Sequence, residues 1–301
     1  MFEALSDKLK KVLQDLRGER RLIFNLRLDG KRALNLLGDE GLIGRHRVAR
    51  SLSNDLRERD LLAVLGQGHA KLKIFINAEL IELQDVEPLL FLGEELTIEP
   101  ARNLLTDDKL PILRLTYNAG KERDSWAALN CRGAKAVAIK RLRWEIDARQ
   151  GDIDMTALTL VPAERGSLAL SECEFVVNGV PSNGQGNTAA VAIDNSGAAH
   201  FVNIEMTGSH WAAGHDAVAL AGGVQFAATD CSFGPHAALV HLRETTPDSK
   251  VKLRNCSAYL ENGPVFRLDD GAAAKLEAAD SIFARLDHGG AGNAAIIWQI
   301  G

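Results

Sequence analysis

Apolar and polar residues alternate along the second half of the chain in a short phrase that recurs. The stretch "GVQFAATDCSFG" (residues 223–234) has an apolar residue, a small residue five positions later and an aromatic residue two positions after that. Alternation with a period of two indicates a β-strand with one buried face. Copies aligned on the small residue lie 31, 31, 27, 25 and 25 residues apart. The aligned small positions are Leu142, Cys173, Ile204, Cys231, Cys256 and Ser281.

The alignment predicts two further sets of buried positions in each copy. Five residues before the small position stand Val137, Leu168, Ala199, Phe226, Val251 and Leu276. Two residues after it stand Trp144, Phe175, Met206, Phe233, Ala258 and Phe283.

A second apolar phrase precedes each copy of the first, and turn residues such as "DNSGA" and "DDGA" separate the two. Its two apolar residues are two positions apart, as expected for another short strand. The pairs are Leu129/Cys131, Leu158/Leu160, Val191/Ile193, Val218/Leu220, Val240/Leu242, Phe266/Leu268 and Ile296/Trp298.

Two or three short strands in each repeated unit predict an all-β solenoid. No helix-length periodic segment separates the strands, which argues against leucine-rich, ankyrin and helical repeats. We therefore expect a parallel β-helix, with variable loops such as residues 178–187 and 207–216 at the turns. Over about residues 72–301 the repeat resembles the pectin-lyase-like superfamily. That resemblance implies a right-handed parallel β-helix of about seven coils.

Three of the four cysteines, Cys173, Cys231 and Cys256, occupy the same position in different copies. Buried free cysteine behaves as a small apolar residue, so these positions predict an interior ladder. The alternative is a metal or redox site, although no His or second Cys stands at ligand spacing. Cys131 lies in the other phrase. We expect no metal, no cofactor and no disulfide framework.

The first 65 residues predict a different kind of structure, a helical and basic N-terminal segment. An apolar stripe at helical spacing falls within the first 18 residues, and cations occupy the opposite face. We therefore divide the chain into residues 1–65, a helical cap, and residues 66–301, the β-helix. A partner-binding helix and a weak contact with an anionic membrane surface are alternatives to the cap. The stripe consists of Phe2, Leu5, Leu9, Val12 and Leu16.

The opening "MFEALSDKLKKVLQDLRG" resembles the start of the N domain of signal recognition particle GTPases. The resemblance covers about 18 residues, and the following sequence lacks the acidic helical continuation of that family. No G-x-x-x-x-G-K-[ST] motif occurs in the chain, so GTPase activity does not follow from the resemblance.

Charge and composition narrow the possible functions. The 301 residues carry a net charge of −5, which predicts no general affinity for nucleic acid. Residues 1–65 hold 14 Lys and Arg against 10 Asp and Glu, a net charge of +4, which leaves −9 for the rest. No apolar run is long enough to span a membrane and no secretory signal begins the chain, so we expect a cytoplasmic location.

One group of candidate catalytic residues lies in "EIDARQGDIDM". Asp152 and Asp154 lie close in sequence to Glu145 and Asp147. Paired carboxylates could perform acid–base chemistry on a glycoside or bind Ca²⁺. The alternative is a solvated turn, in which acidic residues are common.

A second group lies in "SHWAAGHDA", where His210, His215 and Asp216 surround Trp211. An aromatic platform beside His and Asp would suit a sugar-binding site. The alternative is a set of polar residues in a loop between coils.

Two acidic elements resemble motifs of polygalacturonases. "GHD" ends at Asp216, and "DD" consists of Asp269 and Asp270. They resemble the G-H-G and D-D elements of that family, whose other motifs are missing here. His236 and His241 lie near the neighbouring coil, but their spacing alone does not indicate a metal site.

Two classes of function follow from these patterns. The first is a non-catalytic scaffold or binding module, part of a larger protein or covered at its open C-terminal coil by a partner or second chain. The second is a carbohydrate-active enzyme of lyase or hydrolase type, with a carbohydrate ligand; the low aromatic content of 5% counts against it. A third is a protein related to the signal recognition particle that has lost its GTPase domain.

Overall fold

A computed structural model describes most of the region predicted to form the solenoid. The described residues are 21–29, 31–37, 71–76, 79–84, 89–100, 109–116, 125–147, 154–178, 189–260, 263–285 and 296–299.

The regular structure of this part of the chain consists of β-strands. In chain order they are β1 (Arg21–Asp29), β2 (Lys31–Leu37), β3 (Lys71–Ile76), β4 (Leu80–Gln84), β5 (Leu89–Phe91), β6 (Glu95–Pro100), β7 (Ile112–Thr116), β8 (Ser125–Lys140), β9 (Arg143–Asp147), β10 (Asp154–Ser171), β11 (Glu174–Asn178), β12 (Ala189–Asn195), β13 (Val202–Thr207), β14 (His210–Gly222), β15 (Val224–Thr229), β16 (Ser232–Arg243), β17 (Lys250–Arg254), β18 (Ser257–Leu260), β19 (Phe266–Leu268), β20 (Lys275–Ala279), β21 (Ile282–Arg285) and β22 (Ile297–Gln299).

Alternating burial explains why these segments form strands. In β13 the buried residues Val202, Ile204 and Met206 alternate with exposed polar residues. In β17 Val251 and Leu253 alternate with exposed basic residues in the same way. Each strand thus places one face in the core and the other in solvent. The strands predicted from the apolar alternation are confirmed in this part of the chain.

Almost all the strands pair in parallel, in three ladders. The first ladder contains β1, β3, β6, the end of β8, the end of β10, β13, β15, β17 and β20. The second contains β4, β7, β9, β11, the start of β14, the start of β16, β18 and β21. The third contains β5, the start of β8, the start of β10, β12, the end of β14, the end of β16, β19 and β22.

The arrangement is all-β, unclosed and compatible with a β-solenoid. Three successive strands, one from each ladder, make one coil of such a solenoid. The side chains of all three ladders contribute to one continuous apolar core.

A stack of aromatic rings runs through the second ladder inside this core. Ring centroids are 6.4 Å apart between Trp144 and Phe175, 5.3 Å between Phe175 and Trp211, and 4.7 Å between Trp211 and Phe233. Parallel pairing in register brings like side chains of neighbouring coils into contact, which produces this stack.

The structure corrects one copy of the sequence alignment. Ile204 pairs with Leu168 and Phe226, so it occupies the apolar position and not the small one. Ser209 holds the small position, and Trp211 replaces Met206 as the aromatic residue. The prediction failed because a longer segment precedes this copy, and a constant spacing of 31 residues misaligned it by five positions. The stretch predicted as a loop over residues 207–216 accordingly forms part of strand β14.

A tight turn between the first and second ladders accounts for the small position. The residue before it adopts a positive φ in every copy, and Gly208 is the glycine among these residues. The small side chain then bonds to the carbonyl two residues earlier, as Ser209 does to Thr207 and Cys231 does to Thr229. The residues with positive φ are Arg141, Glu172, Gly208, Asp230, Asn255 and Asp280.

All four cysteines are free and buried. The predicted interior positions of Cys173, Cys231 and Cys256 are therefore confirmed. The last pair of the second phrase is shifted by one residue from the prediction. Ile297 and Gln299, rather than Ile296 and Trp298, lie beside β19.

The N-terminal part differs from the prediction where the structure describes it. β1 and β2 form an antiparallel hairpin, and β1 continues the first ladder beside β3. The helical segment predicted for residues 1–65 is thus wrong for residues 21–29 and 31–37, whose leucine-rich alternation forms strands. Residues 1–20 and 38–70 lie outside the described residues, so the apolar stripe, the signal recognition particle resemblance and the boundary at 65/66 stay predictions. Within the described ranges, no helix is long and apolar enough to cross a membrane.

Candidate functional site

Strands β14 and β16 bring Asp216 against His241 in the third ladder. The two strands pair in parallel, with Asp216 opposite Ala238 and Ala219 opposite His241. Asp216 Oδ2 lies 2.8 Å from His241 Nδ1, and the two side chains are 0% and 3% exposed. A hydrogen bond between ionisable groups is therefore buried between neighbouring coils.

Asp269 completes the cluster from the next coil. It follows β19 directly, and its Oδ1 lies 2.8 Å from His241 Nε2. A carboxylate only accepts hydrogen bonds, so an imidazole between two ionised carboxylates must carry a proton on each nitrogen. The cluster thus requires either an imidazolium or one protonated carboxyl group.

Two arginines add positive charge around these carboxylates. Arg243 Nε lies 3.4 Å from His241 Nδ1. Arg267 stands opposite His241 in the register of β16 and β19. The cluster therefore combines opposite charges from three successive coils.

The geometry limits what this cluster can do chemically. Acid–base cleavage of a glycoside requires two carboxyl groups that face the substrate. Here each carboxylate bonds to the imidazole, and Asp216 is fully buried. Asp269, whose side chain is 39% exposed, is the member of the cluster that is substantially open to solvent. The arrangement has the features of a buried polar network.

His210 lies apart from Asp216, although five residues separate them in sequence. It begins β14 in the second ladder, whereas Asp216 belongs to the part of β14 in the third ladder. His210 Nδ1 lies 2.7 Å from Ser232 Oγ on the neighbouring strand. The predicted grouping of these residues in one site is not formed, and they lie in a strand rather than a loop.

Trp211 does not form the predicted aromatic platform for a sugar. It points into the core, is fully buried and stacks between Phe175 and Phe233. The prediction was wrong because Trp211 has the strand parity of the buried residues, which the misaligned repeat concealed.

The remaining candidates are only partly described. His215 lies within β14 and Asp154 begins β10, where it pairs with Ser125. Nothing of their side chains is described, and Asp152 lies outside the described residues. Their predicted catalytic roles stay predictions.

Glu145, from the same acidic stretch, is part of an ion-pair network. Its carboxylate accepts bonds of 2.7 Å from Arg114 Nε and 2.8 Å from Arg143 Nε. Arg143 also reaches Glu174 on the next strand. Burial by itself raises the pKa of Glu145, but the bonds and charges of the two arginines outweigh it and lower that pKa. Glu145 therefore stays ionised and paired, which does not suit a general acid.

Charged side chains elsewhere on the outer faces also pair between neighbouring coils. Lys71 lies 2.7 Å from Glu95, and Lys252 lies 2.9 Å from Glu277. These exposed pairs follow the strand register and favour in-register stacking, although each contributes little stability.

Sequence reasoning singled out Asp216, His241 and Asp269 but did not connect them. The missing signal was their separation. Asp216 and His241 are 25 residues apart, and His241 and Asp269 are 28 apart. Both values match one repeat, so the three residues fall at neighbouring positions of successive coils.

Among the residues that the structure describes, no group of three or more His, Cys, Asp and Glu side chains could hold a metal ion. Comparisons with protein-family models, with curated proteins and with solved structures find no match to this chain.

Proposed function

We propose that this chain is a non-catalytic scaffold or binding module, built as a right-handed parallel β-helix of the pectin-lyase-like kind. The three parallel ladders support the β-helix. The right hand is supported by the general rule for parallel strands joined by crossovers. The predicted number of about seven coils belongs to the same proposal.

The observation that carries the non-catalytic role is the burial of the Asp216–His241–Asp269 cluster. Its imidazole bonds to carboxylates on both sides and is 3% exposed. Groups held in this way join successive coils, whereas catalysis requires groups that reach a substrate.

Two further observations agree with a scaffold. The large aromatic side chains of the second ladder are stacked in the core, where no ligand reaches them. The charges of Arg114, Glu145, Arg143 and Glu174 are engaged with one another between coils.

A polypeptide covering the last described coil is the binding role that we propose. Leu276 and Phe283 stand at core positions of β20 and β21 but are only partly buried. The equivalent Val251 and Ala258, one coil earlier, are buried. Apolar residues and strand edges of this kind accept added strands. The occupant that can be tested directly is a second copy of the chain.

Sedimentation equilibrium on the purified chain tests this role. A second copy on the last coil predicts a dimer that Ile282→Lys, at an exposed edge position, dissociates. Tyr259→Lys, at an exposed position one coil earlier, is the matched control. A monomer at all concentrations would contradict this choice of occupant.

Turnover of acidic polysaccharides tests the non-catalytic role. The purified chain is incubated with a broad panel, and new reducing ends and unsaturated uronate absorbance are measured. We expect neither product. Turnover that is lost when Asp152, Asp154, His210, His215 and Asp216 are replaced together by Ala, in a variant that still folds, would contradict the proposal.

A carbohydrate-active enzyme is the second candidate, and the exposure of Asp269 favours it. Asp269 reaches solvent while it contacts His241, so a substrate could meet one carboxylate of the cluster. This candidate predicts turnover that Asp269→Asn abolishes and Asp270→Asn retains.

A further inference from the structure

Cys231 and Cys256 occupy the same turn position in two neighbouring coils. Each directly precedes a paired residue, since Ser232 lies opposite Ser257 in the parallel register of β16 and β18. The backbone of Ser257 bonds to the carbonyl of Cys231 across this step. Neighbouring parallel strands lie about 4.8 Å apart, and disulfides join residues whose Cα atoms are about 4.4–6.8 Å apart.

The two thiols face each other in a polar part of the turn. Cys231 Sγ lies 3.3 Å from the carbonyl of Thr229, and Cys256 Sγ lies 3.3 Å from that of Arg254. The two thiols also share a hydrogen bond. This contact brings both sulfur atoms to one place between the coils.

The other two cysteines lack such a neighbour among the described residues. The position beside Cys173 in the next coil is Ser209, whose hydroxyl accepts a bond from the Cys173 amide. Cys131 lies in the third ladder, where Leu160 stands opposite it. The chain thus contains one pair and two internal controls.

We propose that Cys231 and Cys256 are a redox pair that hydrogen peroxide converts into a disulfide joining two neighbouring coils. The Cys256 thiolate attacks one peroxide oxygen, which breaks the O–O bond and leaves a sulfenic acid and hydroxide. The Cys231 sulfur then attacks the sulfenic sulfur, the S–O bond breaks and the S–S bond forms. In sum, two thiols and one peroxide give one disulfide and two waters.

The electrostatics agree with this order of steps. The shared hydrogen bond lowers the pKa of Cys256 to about 7, despite its burial, and raises that of Cys231. Burial raises the pKa of Cys131 to about 12 and that of Cys173 to about 11. Thiolate is the reactive form, so Cys256 reacts first.

A small oxidant suits the surroundings of the pair. Cys231 and Cys256 are buried, which hinders bulky thiol reagents. Ser281, at the same position one coil further, is partly exposed and accepts a bond from the Cys256 amide. Its hydroxyl marks a polar route to the pair. The inference does not depend on the scaffold role.

The test is to count thiols in the full chain after peroxide treatment. The protein is oxidised in the native state, quenched, unfolded and alkylated, and its peptides are analysed by mass spectrometry. We expect two of the four thiols to be lost and a cross-linked peptide pair that contains Cys231 and Cys256. The rate should rise with pH through about 7, since the thiolate fraction rises there.

Serine variants provide matched controls, because Ser209 and Ser281 show that serine fits this turn position. Cys173→Ser should leave the cross-link unchanged. Cys256→Ser should leave all three remaining thiols reduced. The proposal is overturned if native protein keeps four thiols under conditions that oxidise unfolded protein, if Cys256 oxidises without cross-linking, or if another pair forms.

Discussion

Asp216 Oδ2 and His241 Nδ1 lie 2.8 Å apart and almost fully buried, although 25 residues separate them in sequence. Removal of one partner leaves the other ionisable group buried without its bond. We expect Asp216→Ala to lower the free energy of unfolding by about 3 kcal/mol. Urea denaturation measures the change. Asp270→Ala, on an exposed turn, is the control and should change the free energy by less than about 0.5 kcal/mol. Equal stability of the two variants would contradict the buried bond.

The stacked position of Trp211 leads to a second prediction. Because it fills the core between Phe175 and Phe233, Trp211→Ala should cost about 3–5 kcal/mol of unfolding free energy. Trp211→Phe keeps an aromatic ring in the stack and should cost less. Tyr259→Ala, at an exposed position of the same ladder, should cost no more than about 0.5 kcal/mol. A small effect of Trp211→Ala in thermal or urea unfolding would place this residue outside the core.

Two glycines separate backbone strain from steric contact. Gly208 has φ of 56°, and an added Cβ would lie 3.7 Å from Glu172 Cγ, an ordinary contact. Gly208→Ala should therefore cost about 1 kcal/mol, the backbone term alone. Gly222 has φ of 77°, but an added Cβ would lie 2.1 Å from the carbonyl oxygen of Asn195.

Gly222→Ala must shift the backbone of the neighbouring coil, so we expect a cost well above that of Gly208→Ala. Urea unfolding of both variants tests the comparison. Equal costs would mean that the coils are not packed as closely at Gly222 as the structure has them.

Glu145 leads to a prediction on pH. Its pKa in the folded protein lies below the ordinary value of 4.5, so its ionised form stabilises the fold. That contribution is complete above the unfolded pKa and is lost as the pH falls through the folded pKa. Glu145→Gln should lower the unfolding free energy by about 1–2 kcal/mol at pH 7.

The difference between wild type and Glu145→Gln should shrink as the pH falls below 4.5. Urea unfolding at a series of pH values measures it. Glu277→Gln removes an exposed carboxylate paired with Lys252 and serves as the control. A Glu145→Gln effect that does not change with pH would argue against the arginine contacts.

Much of the fold follows from the sequence, because burial alternates so regularly in β13 and β17. Register between coils is harder to predict, since segments of unequal length separate the strands. Ile204 and Ser209 illustrate this: both suit a buried position, and only the pairing of Ile204 with Phe226 decides between them. The hairpin of β1 and β2 was missed because its sequence also suits a helix.

The candidate site was predicted only in pieces. Asp216 was recognised beside His210 because the two are close in sequence, but a strand passing through two ladders separates them. His241 and Asp269 come to Asp216 through the stacking of successive coils. Residues one repeat apart are therefore the ones to compare when a solenoid sequence is searched for polar clusters.

A double-mutant cycle on Asp269 and His241 tests the central claim, that this cluster holds the scaffold together. The unfolding free energies of wild type, Asp269→Asn, His241→Gln and the double variant are measured in urea. A scaffold role predicts that each single variant is destabilised and that the two changes are coupled by about 1 kcal/mol or more. Residues that serve a ligand or reaction are commonly held at a cost to stability. An Asp269→Asn variant that is as stable as wild type or more so, without coupling to His241, would contradict the scaffold role.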